Sequence, residues 1–131
     1  MIPAPNNILA AVIFDFDGVI VDTEPLHYEA FHRIVAPFGM EFSWETYRRE
    51  FMGFDDRDAF RAIFRKAGRP MSDQELAGLI EAKARAFATL ADTQGIEPYP
   101  GAARLIHDLS GRAPLALCSG ALLSDVHPIL E

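Results

Sequence analysis

The stretch ILAAVIFDF, residues 8–16, is apolar up to Asp15. Its length and its Val-Ile-Phe content predict a strand buried on both faces, as in parallel sheets. The period then changes. Leu26, Phe31, Ile34, Val35 and Phe38 share one face of a helix over about 25–38, with Pro25 in its first turn and Gly39 after its end. Thr23 or Asp22 is its candidate cap. Phe42, Trp44, Tyr47 and Phe51 repeat the helical spacing around Ser43, a second N-cap candidate. Ala59, Phe60, Ile63 and Phe64 do so again within 56–67. Ser72 stands three residues before Glu75, the spacing of a capping box. The helix it opens carries Leu76, Leu79, Ile80, Lys83, Phe87 and Leu90 on one face or its border. The aromatic stripe of Trp44, Tyr47, Phe51 and Phe60 reads as the core of a purely helical block over 25–91. After the turn-rich DTQGIEPYPG, a short helix (AARLIHDLS) leads to a second apolar run, APLALCSGA. LLSDVHPILE opens a further helix.

Strand, helical block, helix, strand, helix is an α/β order, and a strand-helix-strand crossover implies a parallel pair. The pattern divides the chain into a core piece at 1–22, a helical insertion at 23–93 and a core return at 94–131. Two strands make a narrow parallel sheet, since such sheets are ordinarily wider and covered on both faces. The expectation is the first part of a longer α/β protein.

Composition narrows the function classes. The 131 residues carry a net charge of -7, which argues against a nucleic-acid protein, whose footprint is a basic stripe. It leaves small anionic substrates open, provided a local site or a metal supplies positive charge. Cys118 is the sole cysteine, so no internal disulfide is possible, and a free cysteine of this kind is expected in the core. The N-terminus lacks a basic segment before its apolar run, and no window reaches the length of a membrane span. A cytoplasmic setting is the default.

In open α/β sheets ligands sit beyond the carboxyl ends of the strands. Both strands end in polar groups there, DFDG on the first and CSGA on the second. Asp15 and Asp17 are two apart and face one way if the backbone stays extended. Two close carboxylates repel unless a cation lies between them or one is protonated. Oxygen ligands of this kind suit Mg²⁺. A carboxylate can also attack phosphorus and form an aspartyl phosphate. Gly18 permits a tight turn, and amides near it can hold an anion. Ser119 adds a hydroxyl, and Gly120 allows close approach to the second loop.

DFDGVIVDTEP resembles the first motif of the haloacid dehalogenase superfamily, D-x-D-G followed by D-T or D-S. LALCSGA is similar to its second motif, an apolar strand ending in Ser or Thr. The helical insertion resembles the α-helical cap of the subgroup containing β-phosphoglucomutase and phosphoglycolate-type phosphatases, and YPGAARLIHDL matches its return to the core. The resemblance spans essentially the whole chain. It implies a Rossmannoid parallel-sheet core, incomplete here, with an inserted helical cap. It implies that Asp15 is the nucleophile and a Mg²⁺ ligand. Asp17 would be the general acid and base, with its main-chain carbonyl a second ligand. Ser119 would hydrogen-bond the phosphoryl group, assisted by amides near Gly18 and Gly120. The activity implied is Mg²⁺-dependent hydrolysis of small phosphorylated metabolites, such as sugar phosphates, through an aspartyl phosphate.

The family also uses a lysine from a third motif and acidic residues from a fourth, both beyond the second. This chain runs twelve residues past Ser119. The expectation is a fragment or a truncated product with little turnover alone. In the cap, MGFDDRDAF resembles the subgroup's substrate-facing loop, with Gly53 followed by Arg57. Arg57 is a candidate grip for a substrate anion or a solvated helix-start residue. Lys83 lies where cap lysines reach the site in relatives, or is a surface lysine. His27 lies near the hinge, lining an entrance or serving the structure. Two alternatives stand beside the phosphatase: a phosphosugar mutase with the same catalytic residues, and a truncated, non-catalytic binding protein.

Overall fold

Parallel pairing joins β1 (Val12–Phe14) to β2 (Leu115–Leu117), with Val12 opposite Leu115 and Phe14 opposite Leu117, in the computed structural model, which describes residues 9–120, 126 and 127. The Cys118 amide extends the ladder by donating to the Phe14 carbonyl at 2.8 Å. The first strand is shorter than its apolar run, and the backbone explains why. The Phe16 carbonyl accepts the amides of Val19, Ile20 and Val21. The chain therefore turns immediately after Asp15 and leaves the ladder.

The chain divides into two compact units, 1–22 with 96–131, and 23–95. In the first, Phe16, Ile20, Val21 and Val126 are buried, with Phe14, Leu117, Ile96 and Ile106 packed against them. Ile106 comes from α5 (Pro100–Leu109). The expectation of strands buried on both faces fails. Ile13 is 68% exposed, and Ala116 and Cys118, which alternate onto the same face, are exposed as well. Cys118 is accordingly not a core residue. Among the described residues only the Phe14–Leu117 side of this sheet is covered, so every second strand position faces solvent. The helix expected over LLSDVHPILE lies mostly outside the described residues.

The second unit is helical throughout its described residues: α1 (Glu24–Val35), a 3₁₀ turn at Ala36–Phe38, α2 (Trp44–Glu50), α3 (Asp56–Lys66) and α4 (Asp73–Gln94). Local chemistry sets each start. Pro25 sits in the first turn of α1, where its missing N–H costs nothing, and the Thr23 carbonyl accepts the Leu26 and His27 amides. The Thr23 side chain makes no cap bond to this helix. Ser43 Oγ accepts the Thr46 amide at 3.1 Å, and Asp55 Oδ1 accepts that of Asp58 at 2.8 Å. Ser72 and Glu75 form the reciprocal capping box of α4. The apolar faces close on one aromatic core containing Phe31, Tyr47, Phe51, Phe60 and Phe64. Phe31 and Phe60 meet edge to face at 5.0 Å, a favoured geometry for ring quadrupoles. Trp44 lies at the rim, partly exposed, stacked on Tyr47 at 5.5 Å.

Candidate functional site

The parallel register brings the polar end of β2 beside that of β1. Leu117 lies opposite Phe14, so Cys118 and Ser119 continue alongside Asp15 and the turn that follows it. Asp15 is exposed at the carboxyl end of β1, and its Oδ1 accepts the Phe16 amide at 2.7 Å. That short bond orients the carboxylate along the strand end. Asp17 is half-buried and forms a β-bridge with Val21. Gly18 turns the chain with φ +75°, a conformation that a side chain would strain. Its own amide donates to the Val21 carbonyl at 2.7 Å. The glycine therefore spends its N–H on the turn. Ser119 is half-buried and Gly120 exposed. Val21 also bridges Pro98, and the Ile20 carbonyl accepts the Tyr99 amide at 2.8 Å, pinning the loop to the returning chain. Burial, and then the nearby Asp22 carboxylate, raise the Tyr99 hydroxyl's pKa.

The donor set suits a hard cation. Mg²⁺ is ordinarily held by one or two carboxylates, with water and phosphate oxygens completing its shell. Asp15 and Asp17, with the Asp17 main-chain carbonyl, supply oxygen donors of that type at the strand end. Among the described residues no group of three or more His, Cys, Asp or Glu side chains forms a self-sufficient metal cage.

In the helical unit three sequence candidates have distinct surroundings. Lys83 is 2% exposed, the opposite of a surface lysine. Its Nζ donates to Asp56 Oδ1 at 2.7 Å and to His27 Nδ1 at 2.8 Å, 4.7 Å from the centre of the Phe31 ring. An ammonium only donates, so His27 Nδ1 accepts and the imidazole proton resides on Nε2. His27 stacks on Phe87 at 4.4 Å. Burial, and secondarily the Lys83 charge, push its pKa down to about 3. Arg57 and Gly53 lie exposed beside this cluster in sequence, Arg57 in the first turn of α3 and Gly53 in the preceding turn.

Sequence reasoning did not single out Asp56. The signal was present, because a lysine at an apolar-face position of α4 requires a buried counter-charge. A second unanticipated pair joins Tyr47, whose hydroxyl donates to Glu24 Oε2 at 2.7 Å. Burial, followed by this carboxylate, raises the Tyr47 pKa well above the usual range.

The parallel α/β core with an inserted helical cap defines a haloacid-dehalogenase-like fold, of which the core is incomplete. The family model for haloacid dehalogenase-like hydrolases matches residues 12–131, and the chain belongs to that family. A phosphorylated carbohydrates phosphatase from Thermotoga maritima is 44% identical over 50 residues, which is 38% of this chain and 23% of that protein. The crystal structure of CbbY from Rhodobacter sphaeroides, in complex with xylulose-(1,5)bisphosphate, is 25% identical, with a TM-score of 0.75 over 91% of this chain and 54% of that one. β-Phosphoglucomutase from Clostridium difficile is 26% identical, with a TM-score of 0.70 over 84% of this chain and 50% of that one. The chain spans about half or less of the length of the curated relatives it matches. Its relatives are phosphohydrolases and phosphoglucomutase-like proteins. Among the described residues no helix is long and apolar enough to cross a membrane.

Proposed function

We propose that the protein to which this chain contributes is a Mg²⁺-dependent phosphatase of small phosphorylated metabolites, acting through an aspartyl phosphate on Asp15. The parallel register supports this reading, because the Cys118 amide bonds the Phe14 carbonyl, so that Ser119 follows directly from the residue paired beside the Asp15 strand end. In the first step an Asp15 carboxylate oxygen attacks phosphorus. The bond to the leaving oxygen breaks, and that oxygen takes a proton from the Asp17 carboxyl group. In the second step the Asp17 carboxylate takes a proton from water as the water oxygen attacks the same phosphorus. The bond to Asp15 breaks, phosphate leaves and both carboxyl groups return to their starting states. Ser119 would hydrogen-bond the phosphoryl oxygens. Mg²⁺, held by Asp15 and Asp17 when bound, would neutralise charge on those oxygens.

A sugar hydroxyl in place of the water would make the same residues a phosphosugar mutase. The likeness to β-phosphoglucomutase supports keeping that acceptor in the test. The decisive experiment traps the intermediate. The whole protein that contains this chain is incubated with Mg²⁺ and sugar phosphates, reduced with borohydride and digested. An acyl phosphate on Asp15 would be recovered as homoserine at position 15, and no such product should form in Asp15→Asn. Phosphate release by an Asp15→Asn variant at the parent rate would sink the reading. Acceleration by a sugar bisphosphate, with isomerised product, would assign the mutase.

A further inference from the structure

The helical unit contains an open cavity of about 500 Å³ that shares no residue with the strand ends or with the Lys83 cluster. Its volume lies in the range of small-molecule sites. The segment 39–43 lines one side, and residues of α2 and α3 line the other. Met40, Phe51 and Ile63 are buried and give it an apolar floor. Two donors stand above that floor. The Lys66 side chain is 54% exposed, and its Nζ lies 6.0 Å from the centre of the Phe51 ring. An ammonium has three donors, and the bond to Glu50 takes one of them. Thr46 Oγ1 accepts the Ser43 hydroxyl at 3.1 Å, so its own proton is available to an acceptor in the cavity. Glu41 lines the same cavity, and Glu50 is bonded to Lys66, so a ligand with several negative charges meets repulsion there.

We propose that this cavity binds a small monocarboxylate with an apolar body. Its carboxylate would take Lys66 Nζ and the Thr46 hydroxyl, and its body would lie against Met40, Phe51 and Ile63. The charge complementarity of Lys66 selects the head, and the buried floor selects the body. A sugar phosphate, polar throughout and doubly charged, has the wrong chemistry for this floor and for a rim that carries Glu41. The site is therefore separate from the phosphoryl chemistry, and the inference does not depend on that reading. The ammonium is half-exposed, so losing it should weaken binding a few-fold rather than by orders of magnitude.

The test uses the whole protein that contains this chain, labelled at the methyl groups of Met and Ile, and titrates it with 3-phenylpropionate. NMR should show saturable shifts at Met40 and Ile63 and none at Ile106, which belongs to the strand unit. The neutral isostere 3-phenylpropanol should bind about three- to fivefold more weakly, and Lys66→Met should weaken the carboxylate to the same degree. Glu50 keeps Arg49 as a partner in that variant. Ala67→Trp, at an exposed lining position, should abolish the shifts by filling the cavity. Methyl spectra of the unliganded variants report that each is folded. No saturable shift up to the solubility of the probe would overturn the proposal. So would equal affinity for the alcohol, or shifts that survive both Lys66→Met and Ala67→Trp.

Discussion

Acid should destabilise the helical unit through His27. The folded unit holds this imidazole neutral, with a pKa near 3 against 6.5 for a free histidine. The unfolded chain therefore binds one more proton than the folded chain between those two values. Stability from this residue is complete above about pH 6.5 and falls as pH drops toward 3. Each pH unit in that window costs about 1.4 kcal/mol. Two units of acidification should thus remove about 2–3 kcal/mol. The charged groups in its cluster are Lys83, which donates to its Nδ1, and Asp56, which shares that lysine. Both remain in His27→Gln, so subtracting the variant removes their titrations. Urea unfolding can be followed by Trp44, the sole tryptophan and a residue of this unit. Between about pH 7.5 and 4.5 the parent should lose about 2–3 kcal/mol more than His27→Gln. Nitrogen NMR should show the Nε2–H tautomer persisting to about pH 4. Parallel pH profiles for the two proteins, or an imidazole that protonates near 6, would refute the argument.

Breaking the buried ion pair should cost unequally. Asp56→Ala strands a cation whose side chain is only 3% exposed, whereas Lys83→Met strands a carboxylate that is 32% exposed. Urea melts should put the first near 3–5 kcal/mol, the range for an uncompensated buried charge, the second lower and the double variant well below their sum. Ser72→Ala removes the oxygen that accepts the Glu75 amide, and should lower stability by about 1 kcal/mol in the same assay. Where phosphatase activity is found, Asp17→Asn should slow sugar phosphate hydrolysis by roughly 10²–10⁴. It should slow p-nitrophenyl phosphate hydrolysis much less in the phosphoryl-transfer step, because nitrophenolate leaves without a proton.

The helical unit was legible because its signals are local. Ser43 and Ser72 cap within three residues, and the apolar positions of α3 and α4 repeat at 3.6. The two strands were legible in type and not in extent. An apolar run reports that a strand is suited to burial, and nothing within it reports which layers are present to bury it. Ile13 and Cys118 were misplaced for that reason alone. The site motif was legible as a spacing of Asp15, Asp17 and Gly18. That the Gly18 amide is spent on Val21 was not, since it depends on the path of the whole turn. Lys83 was seen on the apolar border of α4, but its partners come from α1 and α3, dozens of residues away. Contacts of that range leave no periodic trace in a single sequence.

The same contrast explains how the chain deploys its charged groups. In the helical unit Lys83 is enclosed, and the enclosure satisfies it with a carboxylate, an imidazole and two ring faces. Such a cation is costly to uncover, so its contribution is to fix how α1, α3 and α4 meet. In the strand unit Asp15 is exposed, and its described bond is to the adjacent amide. A carboxylate left so accessible at a strand end can be reached by a ligand. Rigidity comes instead from the Phe16 carbonyl, which gathers three amides and holds the turn behind it. The backbone thus fixes the strand end, and the bond described for Asp15 engages Oδ1 alone, which fits the attack on phosphorus proposed for this residue.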